Sequence, residues 1–338
     1  MRKFKKHLLL AAMVSLTLSL SACGNTDKES KKSAADQTAE AVVADTPAPE
    51  ATATAEPEKK EIEVNKTFVS KSKKKNLYQA SRKTAKNAKS ASSLKSWKKD
   101  GIKQQIVDFV NQATDKKSDA YVPPEDRIVV TDIDGTLIAE KGKKVNNDAM
   151  VKLTPAEVKD HILDIQKDYF DEDKKLVYSA ILYQPMLEMY DYLKANGFDI
   201  YFVSGNCNAL TYAWANYYFG ADYSHSIGSN ITLEYDETDG FKMGPTGAYE
   251  GCWNEFKSYR IYNQIGKCPV LAFGNSDGDV QMLEWIQTNP DYKSLGIMIN
   301  HDDDREYVYS VDSISGFCEK YGFIDAKISE NFKTIFVK

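Results

Sequence analysis

Four short runs of apolar residues are spaced along the second part of the chain, and each is followed by polar residues. They lie at 128–130, 200–203, 270–273 and 295–299. Continuous apolar runs of this length are typical of strands buried on both faces of a parallel sheet. Apolar residues at helical spacing, before and between these runs, predict helices at about 98–114, 185–196, 256–266 and 280–286. The alternation predicts an α/β fold with a doubly wound, mostly parallel, Rossmann-like sheet.

Three local patterns add to this outline. Asp100 is the expected N-cap of the helix at 98–114. An insert at about 138–184, after the first strand, reads as a small helical cap; within it, Thr154-Pro155-Ala156-Glu157 has a capping residue and a proline where a helix begins. Residues 231–235 and 240–243 flank a polar turn and predict a β-hairpin.

Small and acidic residues follow each predicted strand. These are Asp132-Ile133-Asp134-Gly135-Thr136 after the first strand, Ser204-Gly205 after the second, 274–279 after the third and an acidic run from His301 after the fourth. Side chains at i and i+2 of an extended chain point the same way, so Asp132 and Asp134 face one crevice. Any one cluster could be a polar turn, which Asp and Gly favour. Four such clusters at one edge of a sheet favour a ligand site.

The N-terminal residues have the pattern of an export signal. Basic residues precede an apolar run at 8–20 that is too short to span a bilayer. Leu20-Ser21-Ala22-Cys23 resembles the lipobox of bacterial lipoproteins, which implies removal of residues 1–22 and attachment of lipid to Cys23. Two or three acyl chains make a lasting anchor, so the chain is expected on the extracytoplasmic face of the cell membrane. An ordinary secreted protein cut near the same place is the alternative.

Two segments after Cys23 are expected to lie outside the fold. Residues 23–65 are rich in Ala, Glu, Thr and Pro with few large apolar residues, so they predict a disordered tether. Residues 66–95 are basic and contain no acidic residue. They are either a solvated connector or a segment that contacts an anionic surface such as lipid headgroups. The net charge of −5 gives no indication of a nucleic-acid partner.

Four cysteines remain once Cys23 carries lipid: Cys207, Cys252, Cys268 and Cys318. An exported protein can oxidise them, and full pairing allows three connectivities. Their spacing does not indicate a zinc site. Cys207 follows a predicted site strand but has no histidine beside it in sequence, so we interpret it as a packed thiol rather than a nucleophile.

Four parts of the chain resemble, in order, the four motifs of the haloacid-dehalogenase superfamily. Asp132-Ile-Asp134-Gly-Thr136 is similar to its first motif, Ser204 to its second, Lys257 to its third and Gly274-Asn-Ser-Asp-Gly-Asp279 to its fourth. Pro124-Glu-Asp-Arg127 and His301-Asp-Asp-Asp-Arg-Glu306 are similar to sequences in exported, phosphatase-like members. The resemblance implies that residues 96–338 form a hydrolase domain of this superfamily.

The resemblance further implies a phosphatase that acts on a small phosphorylated substrate. Asp132 is then the nucleophile that forms an aspartyl-phosphate, and Asp134 is the general acid and later the general base. The phosphoryl group is expected to be held by Thr136, Ser204, Gly205 and Lys257. Dehalogenases need no acid at position 134, because a halide leaves unprotonated, so the pair of aspartates favours phosphoryl transfer. Lys267 is a weaker alternative to Lys257 because it is too close to the third strand.

A divalent cation, Mg²⁺ foremost, is implied as well. Its expected ligands are Asp132, Asp134 through the backbone carbonyl, Asn275 and Asp279, all of which offer hard oxygen atoms. The acid usual after the glycine of the fourth motif is replaced by Asn275, so the site has one negative charge less. Asp279 is therefore expected to be the main acidic support, with Asp277 as a second candidate.

The leaving group and the reaction class stay open at this stage. A set of aromatic residues either packs helices or lines a pocket for a flat or cationic leaving group. The set is Tyr169, Phe170, Tyr178, Tyr183, Trp214, Tyr217 and Tyr218. His301 is the histidine best placed to touch substrate. Two rival functions are another phosphoryl or phosphonyl hydrolase or transferase on this fold, and a non-catalytic binding lipoprotein; Asp132 and Asp134 are both present, which disfavours the second.

Overall fold

The computed structural model describes residues 84–140, 150, 152–160, 170–171, 176–177, 181–238, 240–244 and 249–337. The predicted signal peptide, the lipidation site at Cys23, the tether and residues 66–83 of the basic connector lie outside this part of the chain, as does most of the predicted cap. These assignments stay predictions. No helix within the described part is long and apolar enough to span a membrane.

The described strands and helices alternate along most of the chain. The strands are β1 (Ile128–Asp132), β2 (Phe170–Asp171), β3 (Leu176–Val177), β4 (Asp199–Cys207), β5 (Ser226–Ile231), β6 (Leu233–Asp236), β7 (Gly240–Met243), β8 (Tyr249–Glu250), β9 (Leu271–Gly274), β10 (Leu295–Asn300) and β11 (Ile324–Lys327). The helices are α1 (Lys103–Thr114), α2 (Pro155–Asp160), α3 (Gln184–Ala195), α4 (Asn208–Phe219), α5 (Glu255–Ile265), α6 (Val280–Gln287), α7 (Val311–Tyr321) and α8 (Ile328–Asn331). The four strands and four helices expected from the apolar pattern are all present.

Seven strands form one sheet in the order β11-β10-β9-β1-β4-β5-β8. All neighbours pair in parallel except β8, which is antiparallel to β5 at the edge. The α/β fold with a doubly wound, mostly parallel sheet is therefore confirmed. Strand β1 lies at the centre, and all five of its residues are buried. Val130 pairs with Tyr201 of β4 on one side and with Ala272 of β9 on the other, so the end of β1 is flanked by the ends of both neighbours.

Helix α1 begins later than predicted and has a different cap. Its N-cap residue is Ile102, whereas Asp100 is exposed. The Ile102 backbone N–H donates to Asn331 Oδ1 at 2.8 Å, so a side chain from the far end of the chain satisfies this helix terminus. A side chain at Gly101 would meet Asn331 Oδ1, with only 2.1 Å to an added Cβ. The prediction of Asp100 was wrong because a cap supplied by tertiary contact leaves no local pattern in the sequence.

The described parts of the insert contain a helix and two short strands. Thr154 and Glu157 cap α2 reciprocally: the Thr154 N–H donates to Glu157 Oε2 at 2.8 Å, and the Glu157 N–H donates to Thr154 Oγ1 at 3.2 Å. Strands β2 and β3 pair antiparallel in a separate two-stranded sheet, which the expectation of a purely helical cap did not include. The predicted hairpin is present as β6 and β7.

Candidate active site

Three buried charged residues meet at the carboxyl end of β1. Asp132 is the last residue of β1, Lys257 lies in the first turn of α5, and Asp279 precedes α6. Lys257 Nζ lies 2.6 Å from Asp132 Oδ1 and 2.5 Å from Asp279 Oδ1. The three side chains are 0–7% exposed. The structure thus brings residues of the first, third and fourth motifs together around one ammonium group. It leaves the alternative Lys267 half-exposed and paired with Asp126.

The charges at this point do not balance. Burial raises the pKa of Asp132, Lys257 opposes the shift, and the negative charges of Asp279 and Asp134 add to it, so that the resulting pKa is about 8. Burial lowers the pKa of Lys257, but Asp132 and Asp279 outweigh it and raise that pKa above the ordinary value for lysine. Lys257 therefore stays protonated and acts as a fixed positive charge rather than as an amine nucleophile. One ammonium group stands against the carboxyl groups of Asp132, Asp134 and Asp279, so the site favours further positive charge.

The turn after β1 is built around Gly135. Its φ of +82° is in the left-handed region, and its N–H donates to Ile138 O at 2.7 Å. A Cβ added to Gly135 would lie 2.0 Å from Asn275 Nδ2. The turn and the end of β9 can therefore approach each other only because residue 135 has no side chain. Thr136 is fully buried, and its Oγ1 lies 3.3 Å from Asp132 Oδ2 and 3.2 Å from Asn275 Oδ1. Thr136 therefore supports Asp132 and Asn275; no described contact joins its hydroxyl to Asp134.

Asp134 is held by a residue to which sequence reasoning gave no role. Asn206 Nδ2 lies 2.5 Å from Asp134 Oδ2 and 3.1 Å from Ser204 Oγ. The Asn206 backbone N–H also donates to Ser204 Oγ at 3.1 Å. The pairing register of β4 with β5 shifts between Val203 and Cys207, so the chain bulges at this point. The bulge turns Asn206 toward the first strand end, and no sequence signal marks a bulge of this kind.

Ser204 and Gly205 form the second wall of the crevice. Ser204 is buried, whereas Gly205 is exposed. The Gly205 carbonyl accepts a hydrogen bond from Ser229 Oγ at 2.7 Å, and Ser229 Oγ in turn accepts from the Cys252 N–H at 2.9 Å. These bonds fix the peptide group that follows Gly205, so a hydroxyl and a rigid stretch of backbone lie near Asp134.

Asp279 was expected to ligate a metal ion, and its carboxylate contacts Lys257 and the loop before α6. Its Oδ2 accepts from the Asn275 N–H at 3.0 Å, the Ser276 N–H at 3.1 Å and Ser276 Oγ at 3.0 Å, and its Oδ1 faces Lys257. Both carboxylate oxygens are thus engaged with the loop and the lysine. Asp277 is exposed and accepts from the Gly278 N–H.

Three polar groups converge beside this loop. One terminal atom of the Asn275 carboxamide, Oδ1 in one orientation of the amide and Nδ2 in the other, lies 2.9 Å from the Asp134 carbonyl oxygen and 3.2 Å from Asp132 Oδ2. Oxygen acceptors at such distances repel unless a cation lies among them or the amide rotates and donates its N–H groups instead. Carboxylate, carbonyl and carboxamide oxygens are the donor set that Mg²⁺ accepts, so these residues fit a small divalent cation. Within the described residues, no group of three or more His, Cys, Asp or Glu side chains is arranged to hold a metal ion.

Tyr309 and Glu140 also reach this site, and neither was predicted. Tyr309 Oη lies 3.5 Å from Asn275 Nδ2, and an added Cβ on Gly135 would lie 2.9 Å from it. Burial, followed by the charges of Glu140 and Glu306 and a hydrogen bond with Glu140, raises the pKa of Tyr309 well above the usual value for tyrosine. Its hydroxyl therefore keeps its proton.

His301, the histidine expected to be best placed to touch substrate, is fully buried. Its Nδ1 lies 2.7 Å from Glu306 Oε1. The acidic residues after it have structural partners: Asp302 accepts from the N–H of Ser329 at 2.8 Å, and Asp303 forms an ion pair with Arg305. The polar end of β10 thus holds the C-terminal segment together instead of lining the crevice.

The described residues of the aromatic set favour the interpretation that they pack helices over the interpretation that they line a pocket. Tyr183, Trp214 and Tyr218 are almost fully buried, and Tyr217 is half-buried. The side chains of Tyr169, Phe170 and Tyr178 lie outside the described residues. Cys207 is buried and burial raises its pKa, which agrees with a packed thiol, and all four cysteines from Cys207 onward are free thiols.

One exposed aromatic residue does lie at the rim. Trp253 is 40% exposed, and its Cε3 lies 3.9 Å from the point where a Cβ on Gly205 would sit. Its six-membered ring packs on Gly251, where an added Cβ would come within 2.4 Å. The next residue, Asn254, has a φ of +51° in a turn that leads into α5 and Lys257. Nothing in the sequence pattern set Trp253 apart from the other aromatic residues.

Comparisons with known proteins give only distant likenesses. No family model and no curated protein matches the chain. Among solved structures, a protein of unknown function from Anaerococcus prevotii DSM 20548 aligns at 14% identity over 66% of this chain and 91% of its own, with a TM-score of 0.41. Cytosolic 5'-nucleotidase IIIB bound to cytidine aligns at 13% identity over 69% and 89%, with a TM-score of 0.38. A HAD family hydrolase from Salmonella enterica serovar Typhi aligns at 15% identity over 61% and 68%, with a TM-score of 0.36. TM-scores below 0.5 leave the function to be inferred from the side chains themselves.

Proposed function

We propose that this chain is a phosphatase that hydrolyses phosphate monoesters through an aspartyl-phosphate. The observation that supports it best is the pairing of Asp132 with a buried lysine, 2.6 Å from Lys257 Nζ, with Asp134 directed by Asn206 toward Ser204. A phosphate monoester is anionic and very slow to hydrolyse, so a carboxylate can attack it only where positive charge screens the repulsion. Lys257 supplies such a charge at the nucleophile.

In the first half of the reaction, Asp132 attacks phosphorus and the ester P–O bond breaks. Asp134 gives its proton to the departing oxygen, which leaves as an alcohol. Ser204, the Gly205 backbone and Lys257 hold the phosphoryl oxygens, and Thr136 keeps the attacking carboxylate in place. The acid and the nucleophile come from one turn, so their separation is set by the backbone of β1 and Gly135.

In the second half, Asp134 takes a proton from water, and the resulting hydroxide attacks the phosphorus atom. The bond from phosphorus to Asp132 breaks, which releases inorganic phosphate and restores the carboxylate. Each residue ends in its starting state, so the cycle needs no further reactant. The hydrogen bond from Asn206 to Asp134 supports both roles, because it leaves the carboxyl group in one position throughout.

A divalent cation, Mg²⁺ foremost, would be held by Asp132, the Asp134 backbone carbonyl and Asn275. When bound, it would screen the negative charges of the nucleophile and the phosphoryl group. Asp279 supports Lys257 in this proposal rather than the cation.

Trp253 is proposed to contact the leaving group. Its exposed ring borders Gly205, and a flat leaving group would stack on it. The buried aromatic residues of α4 are left to pack that helix.

Attachment to the membrane is proposed on the sequence alone. The lipobox at 20–23 would place lipid on Cys23, and residues 23–65 would hold the hydrolase domain away from the bilayer. Membrane fractionation of the wild type and Cys23→Ser tests this, since release of the variant into the soluble fraction is expected and retention of both in the membrane would contradict it.

The activity is tested by phosphate release from a chromogenic phosphate ester, with and without Mg²⁺. Asp132→Asn should abolish turnover, because an amide is a poor nucleophile. Asp277→Asn, an exposed acid in the nearby loop, is the matched control and should retain it. The proposed phosphatase function would be refuted if Asp132→Asn were as active as the wild type. It would also be refuted if the wild type were inactive over a broad panel of phosphate esters.

A further inference from the structure

The carboxamide of Asn275 has two orientations with opposite consequences. In one, Oδ1 faces the Asp134 carbonyl oxygen at 2.9 Å and Asp132 Oδ2 at 3.2 Å. In the other, Nδ2 occupies that position and donates hydrogen bonds to the same two atoms. The first arrangement presents three oxygens to a cation, whereas the second fills the place of the cation with N–H groups. Whatever fixes the amide therefore decides whether a cation binds there.

Tyr309 lies on the opposite side of this carboxamide. Asn275 Nδ2 is 3.5 Å from Tyr309 Oη in the orientation with Oδ1 toward Asp132. A phenol has a single proton, and that of Tyr309 is engaged in a hydrogen bond with the carboxylate of Glu140. A hydroxyl that has donated its proton offers only lone pairs, so it accepts from an N–H group and repels a carbonyl oxygen. The Glu140–Tyr309 pair thus favours the orientation that presents Oδ1 to a cation.

The ring of Tyr309 is itself held in place. It stacks on His301 with 4.3 Å between centroids and 14° between planes, and its backbone N–H donates to His301 O at 3.1 Å. His301 Nδ1 lies 2.7 Å from Glu306 Oε1, and Tyr183 Oη donates to Glu306 Oε2 at 2.7 Å. His301, Glu306 and Tyr183 are all buried. The network leaves the phenol little freedom to follow a rotating amide.

Resting on the proposed function, we infer that Tyr309 is a positioning residue for a divalent cation. It does not touch the cation; together with Glu140 it holds the Asn275 carboxamide with its oxygen toward Asp132 and the Asp134 carbonyl. A neutral amide at this position has to be oriented, because only one of its two terminal atoms is an oxygen. An acid would need no such orientation, because the two oxygens of a carboxylate are equivalent.

The test is direct binding of Mn²⁺, as a stand-in for Mg²⁺, to the full chain, measured by calorimetry and by the EPR signal of free Mn²⁺. Tyr309→Phe should weaken binding by about 10- to 100-fold, the usual effect of losing a residue that orients a metal ligand. Glu140→Ala should also weaken it, because the phenol proton then has no carboxylate acceptor and can turn toward Asn275. Tyr292→Phe is the control, since it removes a tyrosine hydroxyl that donates to Asp126 before the start of β1.

The Asn275→Asp background separates orientation from general damage. There, adding Tyr309→Phe should change Mn²⁺ affinity by no more than about threefold, because either carboxylate oxygen can face the cation. Unchanged affinity on Tyr309→Phe in the wild-type background would overturn the inference, and so would an equal loss in both backgrounds. If Tyr309→Phe fails to fold, Glu140→Ala decides on the same terms.

These outcomes are distinguishable from failure of the phosphatase itself. If Asp132→Asn is inactive and Tyr309→Phe leaves the Mn²⁺ affinity of the otherwise wild-type protein unchanged, only the role of Tyr309 is overturned. A wild type that hydrolyses phosphate esters but binds no Mn²⁺ would overturn the role of Tyr309 and the cation while leaving the nucleophile. Activity retained by Asp132→Asn would refute the phosphatase whatever the binding data show.

Discussion

Asn206 Nδ2 lies 2.5 Å from Asp134 Oδ2 and thereby ties the proposed acid to the strand that carries Ser204. Asn206→Ala should lower kcat by about tenfold on an alkyl phosphate, because general acid catalysis depends on the position of the proton donor. With p-nitrophenyl phosphate the loss should be smaller, since a stable phenolate leaves without a proton. Initial rates on the two substrates measure the difference.

Asn216→Ala is the matched control for this change. Its side chain donates to Ala221 O at 3.0 Å at the end of α4, away from the crevice, so both rates should stay near those of the wild type. An equal loss on both substrates for Asn206→Ala would show that Asn206 serves the fold rather than the proton transfer.

Lys257 should be as important for stability as for activity. Lys257→Met leaves Asp132 and Asp279 buried without a counter-ion, which costs about 3–5 kcal/mol of unfolding free energy. Lys267→Met breaks an ion pair with a half-exposed lysine and should cost at most about 1 kcal/mol. Urea denaturation in EDTA at fixed pH gives both values. A Lys257→Met protein as stable as Lys267→Met would contradict the buried cluster.

The deficit of Lys257→Met should also depend on pH. Burial already raises the pKa of Asp132 to about 8 in the wild type, and loss of the ammonium group raises it further. The folded variant then binds more protons than its unfolded chain, so its stability is greatest at low pH and falls as pH rises toward and through 8. Because Asp132 stays protonated in both folded proteins well below pH 8, the stability gap between the variant and the wild type should be nearly constant there and should widen as pH rises through 8 and above. A gap that narrows with rising pH would exclude this explanation.

Trp253 should govern preference for the leaving group. Trp253→Ala is expected to raise KM for an aryl or nucleoside phosphate by about 10-fold and to leave glycerol phosphate within about twofold, as expected for the loss of one stacking contact. Phe241→Ala, an exposed aromatic residue of the β6–β7 hairpin, should change neither KM. Equal increases for both substrates would instead indicate damage to the neighbouring Gly205 peptide.

The rate at which each cysteine is alkylated should depend on its burial, because none of the cysteines is proposed to be a catalytic nucleophile. Burial raises the pKa of Cys268, which is half-buried, to about 11, and that of Cys252, which is buried, to about 11. Alkylation of the native protein at neutral pH should therefore be slow, and the rate at Cys268 should rise about tenfold per pH unit until its pKa is reached. Mass spectrometry after iodoacetamide treatment identifies the labelled sites. A disulfide joining any two of the four cysteines would contradict the free thiols seen here.

The central strands and the order of the site clusters could be predicted because each depends on short-range pattern. The apolar run of β1 is buried on both faces, and the pair Asp132 and Asp134 follows from its end. Strand β5 was missed as a sheet strand because Ser226, Ser229 and Asn230 break its apolar run although the sheet buries both serines. Strand β11 was missed because Asp325 and Lys327 give it a polar composition.

Within the site, residue identity was easier to predict than orientation. Lys257 was expected near phosphate and is buried against Asp132. Asp279 was expected at a cation, but the N–H groups of the Asn275–Ser276 turn and the Lys257 ammonium take both of its oxygens. Tyr309 and Asn206 reach the site through a returning segment and a bulge, and such tertiary approaches leave no periodic trace in a sequence.

The hydrogen bond from Ile102 to Asn331 has a practical outcome for handling this protein. Trp97 and Phe332 pack edge to face beside it, and the Arg305 guanidinium donates to the carbonyls of Phe332 and Lys333. Residues near the C-terminus therefore complete the start of the domain. Truncation before residue 331 would remove the side chain that caps the amino end of α1. Proteases should then cleave the domain near both of its ends at similar rates. Affinity tags are better separated from Lys338 by a spacer than fused in place of these residues.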